Sequence, residues 1–350
     1  MSLRFAHETL AQRVVFAPSE AVRAVAAEVE LIGARRVMVI ASPSVAGLAD
    51  EVTADVAVAL RHDEVVMHVP VDVAERARAA AAEHDVDAIV CVGGGSTTGL
   101  AKAIALTSGR PIVAVPTTYA GSEATNVWAL TEGARKTTGV DARVLPRSVV
   151  YDVTLTTSLP VEISVASGLN AIAHCVDSMW APNADPINAT LAAEAIRALR
   201  VGLLKIKAGA ADLEGRERAL YGAYLAAVAF ASAGSGLHHK ICHNLGGTFN
   251  LPHAETHAIV LPHVLALNAP HAREAAERIA AAFGTTSAID GLNVLRAELD
   301  APAALREYGF DEFDIPKAVE VILPSVPASN PAPVTPDVLA DLLRAAWAGQ

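Results

Sequence analysis

Ala88-Ile-Val-Cys-Val-Gly-Gly-Gly-Ser-Thr-Thr-Gly99 decides the fold. The apolar run from Ala88 to Val92 reads as a buried strand, and the glycine and hydroxyl residues after it read as a strand-to-helix turn. Glycines at such a turn let backbone N–H groups approach a phosphate, and the helix N-terminus adds favourable partial charge. The plainer reading is a tight turn that needs positive φ. Three consecutive glycines before Ser-Thr-Thr favour a phosphate cradle at Gly94, Gly95 and Ser96. Two familiar patterns fail: Leu100 stands where Walker A needs lysine, and Thr98 stands where GxGxxG needs glycine. The site therefore suits a diphosphate through a different pattern.

Outward from this turn, the first half of the chain alternates between two kinds of segment. Short β-branched runs at residues 37–40, 65–69, 88–92 and 112–115 predict buried strands. Stretches with apolar residues every three or four positions, at 19–31, 45–60, 73–84 and 100–107, predict helices. Such alternation means βαβ units and a mostly parallel sheet covered on both faces. The segment Pro116-Thr-Thr-Tyr-Ala-Gly-Ser-Glu123 follows the next strand. Thr117, Thr118 and Ser122 there suit a second strip of nucleotide contact at the carboxyl ends of neighbouring strands. After residue 151 the strand signal stops. Alanine-rich helical stretches follow at 164–180, 186–207, 213–233 and 271–282, and a proline-rich connection at 324–336 precedes a last helix. The division expected is an α/β nucleotide-binding domain over 1–155 and an all-helical domain over 156–350.

Composition narrows the function. With 52% apolar and 19% charged residues, the chain is a folded globular protein. Acidic residues outnumber basic ones, 38 to 27, for a net charge of −11, which argues against a nucleic-acid groove. The N-terminus lacks the basic and apolar pattern of a signal peptide. The most apolar stretch, 223–234, is short of the ~20 residues that span a bilayer. Three cysteines without CxxC spacing fit a reducing compartment. A cytoplasmic protein without a membrane or nucleic-acid partner is expected.

The second half carries a histidine cluster, Gly236-Leu-His-His-Lys-Ile-Cys-His-Asn-Leu-Gly-Gly-Thr-Phe-Asn-Leu-Pro-His253, with His257 and His263 beyond. His239 and His243 are four apart and share a helical face, as do Asn170 and His174. A lone histidine is usually a satisfied polar side chain. A cluster this dense points to metal binding, proton transfer or anion binding. Where one turn would place a carboxylate beside His174, the residue is Asn170. Three imidazoles and an amide hold a divalent ion less tightly than a set with a carboxylate, and suit an anionic substrate.

Taken together, GGGSTTGLAK, PTTYAGSEAT, SGLNAIAH and HHKICHNLGGTFNLPH resemble the iron-containing (group III) alcohol dehydrogenases, in order and over nearly the whole chain. The resemblance implies a dehydroquinate synthase-like architecture, with a nicotinamide-nucleotide domain and a helical domain. The family's metal-site aspartate corresponds to Asn170, its metal histidines to His174, His239 and His253, and its proton-relay histidine to His243. Gly99 replaces the aspartate of the usual turn. That change, with RKTTGVD and VLPRSVVYD, resembles a branch that reduces the C=C bond of maleylacetate to 3-oxoadipate with NADH or NADPH in aromatic catabolism. The resemblance therefore implies an enzyme whose catalytic residues are His243, His253, His239 and His174. Its small dianionic substrate would meet Asn170, Lys240 and Tyr119, with Lys240 and protonated histidines facing the carboxylates. No metal is expected at Asn170, and a homodimer is expected. Other readings are a metal-dependent alcohol dehydrogenase of the same family, with Asn170 ligating through its amide oxygen, and a nucleotide-binding protein without catalysis.

Overall fold

The computed structural model describes residues 4–133 and 135–350. The chain divides into two compact units, Leu10–Leu159 and Pro160–Gln350, the latter together with residues 4–9.

The first unit runs β1 (Arg13–Phe16), α1 (Ala21–Leu31), β2 (Val37–Ile40), α2 (Ala46–Val52), β3 (Val58–His62), α3 (Val71–Glu83), β4 (Ala88–Gly93), α4 (Gly95–Ser108), β5 (Ile112–Pro116), β6 (Val127–Glu132), β7 (Arg135–Val140) and β8 (Ser148–Tyr151). Six strands form one parallel sheet in the order β1-β8-β5-β4-β2-β3, while β6 and β7 pair as an antiparallel hairpin. Alternation along the strands sorts side chains to two faces. Met38, Ile40, Ile89, Cys91 and Ile112 meet Val73, Ala77, Leu100 and Ile104 of α3 and α4. Val37, Val39, Val90, Val92 and Val113 meet Val25, Val29, Ala49 and Val52 of α1 and α2. Full burial of each such side chain stabilises by roughly 1.5–3 kcal/mol before the entropy of ordering is counted. The strand order reverses between β2 and β4, so the glycine turn after β4 lies at the switch point where open α/β sheets take ligands.

The second unit runs α5 (Val161–Ser178), α6 (Pro186–Ala208), α7 (Leu213–Ala233), α8 (Leu237–Phe249), α9 (His253–Asn268), α10 (Arg273–Phe283), α11 (Ala288–Glu298), α12 (Ile315–Ile322) and α13 (Pro336–Ala348), with no strand among its described residues. Helix starts follow local chemistry. Asp185 accepts the N–H groups of Ile187 and Asn188 ahead of Pro186, and Asp212 accepts that of Gly215. Asp185 Oδ2 also lies 2.8 Å from His7 Nδ1. No single helix among the described residues is long and apolar enough to cross a membrane. Among the described residues, α7 and α8 taken together pass by length and composition, and they meet at a 99° bend.

Several elements differ from the sequence reading. Residues 65–69 are not a strand: His68 and Val69 have φ of 63° and 50°, which no extended strand allows. Their carbonyls accept the Thr131 hydroxyl and N–H instead, and Val65 and Val69 cover the core from a loop. The strand is β3 (Val58–His62), which begins at the end of the stretch 45–60 expected as one helix and runs past it. There α2 stops at Val52, and the Thr53 hydroxyl turns back to the Ala49 carbonyl at 2.6 Å. Strand β1 and the hairpin were not anticipated. Helix α4 begins at Gly95, five residues earlier than expected, because the glycine turn itself is its first turn.

Candidate active site

Gly94 is the N-cap of α4 with extended backbone and no side-chain cap, which leaves the first N–H groups of the helix for a ligand. A Cβ on Gly94 would stand 3.0 Å from Thr118 Cγ2, and one on Gly95 would stand 3.3 Å from Ala120 Cβ. A side chain at either position would press on the loop after β5, which would have to give by a few tenths of an ångström. Gly93 pairs with Pro116 at the carboxyl ends of β4 and β5, and the Thr117 N–H donates to the Gly93 carbonyl at 3.0 Å. The structure thus brings Gly94, Gly95 and Ser96 beside Thr117 and Thr118, all partly exposed except the buried Thr117. Ser122 opens a short 3₁₀ turn further along the same loop, and Tyr119 is buried in that loop. Lys102 holds α4 from behind. Its Nζ donates to Thr125 O, Thr125 Oγ1 and Val127 O at 2.9, 3.0 and 2.8 Å, while burial brings its pKa down to about 7.

In the helical unit, α5 presents Asn170, His174 and Asp177, while α8 presents His238, His239, Cys242 and His243. The rings of His174 and His239 stack at 4.9 Å, with Phe230 of α7 against both. His239 Nδ1 donates to Asp177 Oδ2 at 2.7 Å, and the same oxygen accepts the N–H groups of Gly236 and His239 at 3.1 Å each. Asp177 thereby caps α8 from a neighbouring helix. Gly236 makes this possible, since a Cβ there would stand 2.5 Å from Asp177 Oδ1. With Nδ1 protonated, His239 keeps its lone pair on Nε2, the arrangement that outer-shell carboxylates impose on metal-ligating imidazoles. The ring of His243 lies 5.8 Å from that of His239 and 6.2 Å from that of His253, and His253 lies 4.3 Å from His257. Lys240 is half-buried on α8.

Electrostatics revise one expectation. Burial pushes the pKa of His174 and His257 well below the usual value and brings His238 and His239 down to about 3. These four are neutral imidazoles at pH 7, so they cannot serve as the cations expected to meet substrate carboxylates. The reason is desolvation, largest among the causes at each. Burial also pushes the Asp177 carboxyl up, against the pull of the N–H donors it accepts.

The nearest polar partners leave a donor set. Among the described residues, Asn170 Oδ1, His174 Nδ1 and His239 Nε2 are buried without a hydrogen-bond partner. Orphaned neutral donors of this kind, with an outer-shell carboxylate, fit a divalent cation.

A glycine-rich helix start on a parallel sheet and an imidazole-rich donor set on a helical unit define a class. The chain belongs to the iron-containing alcohol dehydrogenase family: residues 11–153 match the family model Iron-containing alcohol dehydrogenase, and residues 164–347 match Fe-containing alcohol dehydrogenase family, C-terminal. Among individual proteins, it is 46% identical to maleylacetate reductase of Sphingobium indicum, over 99% of this chain and 98% of that one. It is similar to the crystal structure of an iron-containing alcohol dehydrogenase from Corynebacterium glutamicum, with 62% identity, a TM-score of 0.97 and coverage of 100% and 98%. It is also similar to that of maleylacetate reductase from Agrobacterium tumefaciens, with 38% identity, a TM-score of 0.92 and coverage of 99% of each chain.

Membership corrects the expectation that no metal is bound. The family implies iron or another divalent metal, and Asn170, set aside for lacking a carboxylate, still offers a buried amide oxygen. The role of Asp177, three residues after His174 on α5, is not legible in that spacing: it acts through Gly236 and His239 of α8, not as a ligand beside His174.

Proposed function

We propose that this enzyme uses NADH or NADPH to reduce the C=C bond of maleylacetate, giving 3-oxoadipate. The full-length likeness to curated maleylacetate reductases carries this reading. The nicotinamide nucleotide binds by its diphosphate at Gly94, Gly95 and Ser96, with Thr117, Thr118 and Ser122 lining the second strip. No acidic residue follows β2 in Ala41-Ser-Pro43, so neither a 2′-hydroxyl is selected nor a 2′-phosphate repelled. Hydride passes from the dihydronicotinamide to the alkene carbon remote from the ketone. The alkene electron pair moves to form an enolate, and the cofactor leaves oxidised.

Hydrogen-bond donors of the helical unit stabilise the enolate oxygen. Asn170 supplies an amide, and Lys240 is the cation placed for a substrate carboxylate. His243 donates the proton to the carbon adjacent to the ketone, with His253 beside it. Asn170, His174, His239 and His253 are the residues that would hold the family's divalent ion. When bound, that ion supplies Lewis-acid polarisation of an oxygen. Tyr119, expected to meet the substrate, is fully enclosed at the loop after β5 and is left out of the substrate contacts. The same reading carries a cytoplasmic homodimer that serves aromatic-compound catabolism.

The test is NADH and NADPH consumption with maleylacetate against a blank without it, with 3-oxoadipate identified as product. Oxidation of simple alcohols by the metal-loaded protein, without maleylacetate turnover, would replace this reading with a metal-dependent alcohol dehydrogenase.

A further inference from the structure

His238, Cys242 and His257 make a second constellation that the chemistry above does not use. His238 and Cys242 are one turn apart on α8, and His257 comes from α9. Their ligand atoms all lie within 4.8 Å of one another. His238 Nε2 is 2.9 Å from His257 Nδ1, and Cys242 Sγ is 3.6 Å from His238 Nε2. The Thr256 carbonyl oxygen is 3.9 Å from the sulfur. All three side chains are enclosed.

We propose that these three side chains form a binding site for a thiophilic divalent ion of the zinc type, separate from the donors Asn170, His174, His239 and His253. Tetrahedral zinc, with Zn–S near 2.3 Å and Zn–N near 2.0 Å, sets its ligands about 3.5 Å apart for S···N and about 3.3 Å for N···N. The sulfur is 3.6 Å from His238 Nε2, close to that spacing, and the His257 nitrogen lies within 4.8 Å of it. The two nitrogens need to part by only a few tenths of an ångström.

Protons balance simply. The thiol releases its proton to solvent. The proton shared between the two imidazoles moves so that both rings stay neutral, one proton each on His238 Nδ1 and His257 Nε2. Those outer atoms are buried and without a hydrogen-bond partner among the described residues, so they are free to carry them. A thiolate leaves one positive charge on the ion's site, and the Asp177 carboxylate, bonded to the adjacent His239, lies close enough to His238 to offset it. The nearby carbonyl of Thr256, or water, completes the fourth position.

Cobalt(II) is the probe, because thiolate coordination gives a charge-transfer absorption in the near ultraviolet that nitrogen and oxygen donors do not. The wild-type protein, stripped by chelation and incubated with cobalt to constant absorbance, is expected to show that band and to lose it on zinc addition. Cys242→Ser is expected to abolish the band and to bind one equivalent less metal, with unchanged NADH binding. Cys91→Ser and Cys175→Ser are expected to keep it. If Cys242→Ser does not fold by circular dichroism, Cys242→Ala is read in its place. No band in the wild type, a band that persists without Cys242, or a band lost with Cys175 overturns the proposal. The readout is absorbance, so it stands or falls independently of maleylacetate turnover.

Discussion

Asp177 Oδ2 receives the Nδ1–H of His239 at 2.7 Å while it also caps the helix that carries His239. One carboxylate oxygen therefore sets a helix start and an imidazole tautomer together. Hydrogen bonds to a charged acceptor contribute roughly 1.5–3 kcal/mol each, and capping adds about 1 kcal/mol. The same contact decides which nitrogen of His239 offers a lone pair beside His174.

Asp177→Asn weakens the acceptor while keeping its shape. Loss of an outer-shell partner typically costs 10–100-fold in metal affinity. The variant is therefore expected to bind iron or zinc at the Asn170, His174, His239 and His253 donors about 10–100-fold more weakly, measured by competition against a chelator in the Cys242→Ser background. Equal affinity in a folded variant would show that His239 is oriented by packing against Phe230 alone.

Gly94→Val tests the cradle. A Cβ already meets Thr118 at 3.0 Å, and a branched side chain would cover the N–H groups at the start of α4. The KM for NADH is expected to rise by an order of magnitude or more, roughly 1.4 kcal/mol per tenfold. Thermal melting of the helical unit should not move. An unchanged KM in folded protein would place the diphosphate elsewhere.

The strand–glycine turn–helix unit was legible because it is local: β4, the turn and α4 are consecutive, and their conformation depends on neighbours along the chain. The sequence also showed the αβ alternation, since burial of every strand face leaves long apolar runs. It misassigned 45–69 because apolar residues there serve three roles within twenty-five positions: helix face, edge strand and a loop over the core. Only the left-handed φ at His68 and Val69 separates the last from a strand. Asp177 was unreadable for another reason. Its partners, Gly236 and His239, are about sixty residues away, and nothing in the spacing of α5 says that α8 starts against it. The histidine charge state depends on the same unseen packing.

Acid should unfold the helical unit early. His174, His238, His239 and His257 are neutral in the fold with pKa lowered from 6.5, for two of them to about 3. The unfolded chain binds protons that the folded chain refuses. Stability from this source is complete above pH 6.5 and is lost as pH falls from there toward the folded values. The slope is about 1.4 kcal/mol per pH unit for each uncoupled histidine. Melting of metal-stripped protein at pH 7.5, 6.5, 5.5 and 4.5 should show a steady Tm above 6.5 and a steep fall below it. A Tm that is level down to pH 4.5 would mean that the rings are protonated or exposed in the native state. His257→Gln should flatten the fall, because one titrating group is gone.

His243 carries the last expectation. It is half-buried, 5.8 Å ring to ring from His239 and 6.2 Å from His253, in contrast to the sealed His238 and His257. A proton donor must regain its proton within each turnover, which a half-buried ring in reach of solvent does faster than the enclosed His238 and His257. If His243 protonates the enolate carbon, His243→Ala should lower kcat with maleylacetate by roughly 10²–10⁴, the usual worth of a positioned general acid. NADH affinity should hardly change, because the proposed diphosphate site belongs to the first unit. The pH profile discriminates the roles. A donor must be protonated, so the wild-type kcat should fall as pH rises through its titration, and that alkaline limb should vanish in the variant. A variant with normal kcat and an intact alkaline limb, on protein first shown to be folded, would leave His243 a packing residue and move the proton to His253 beside it.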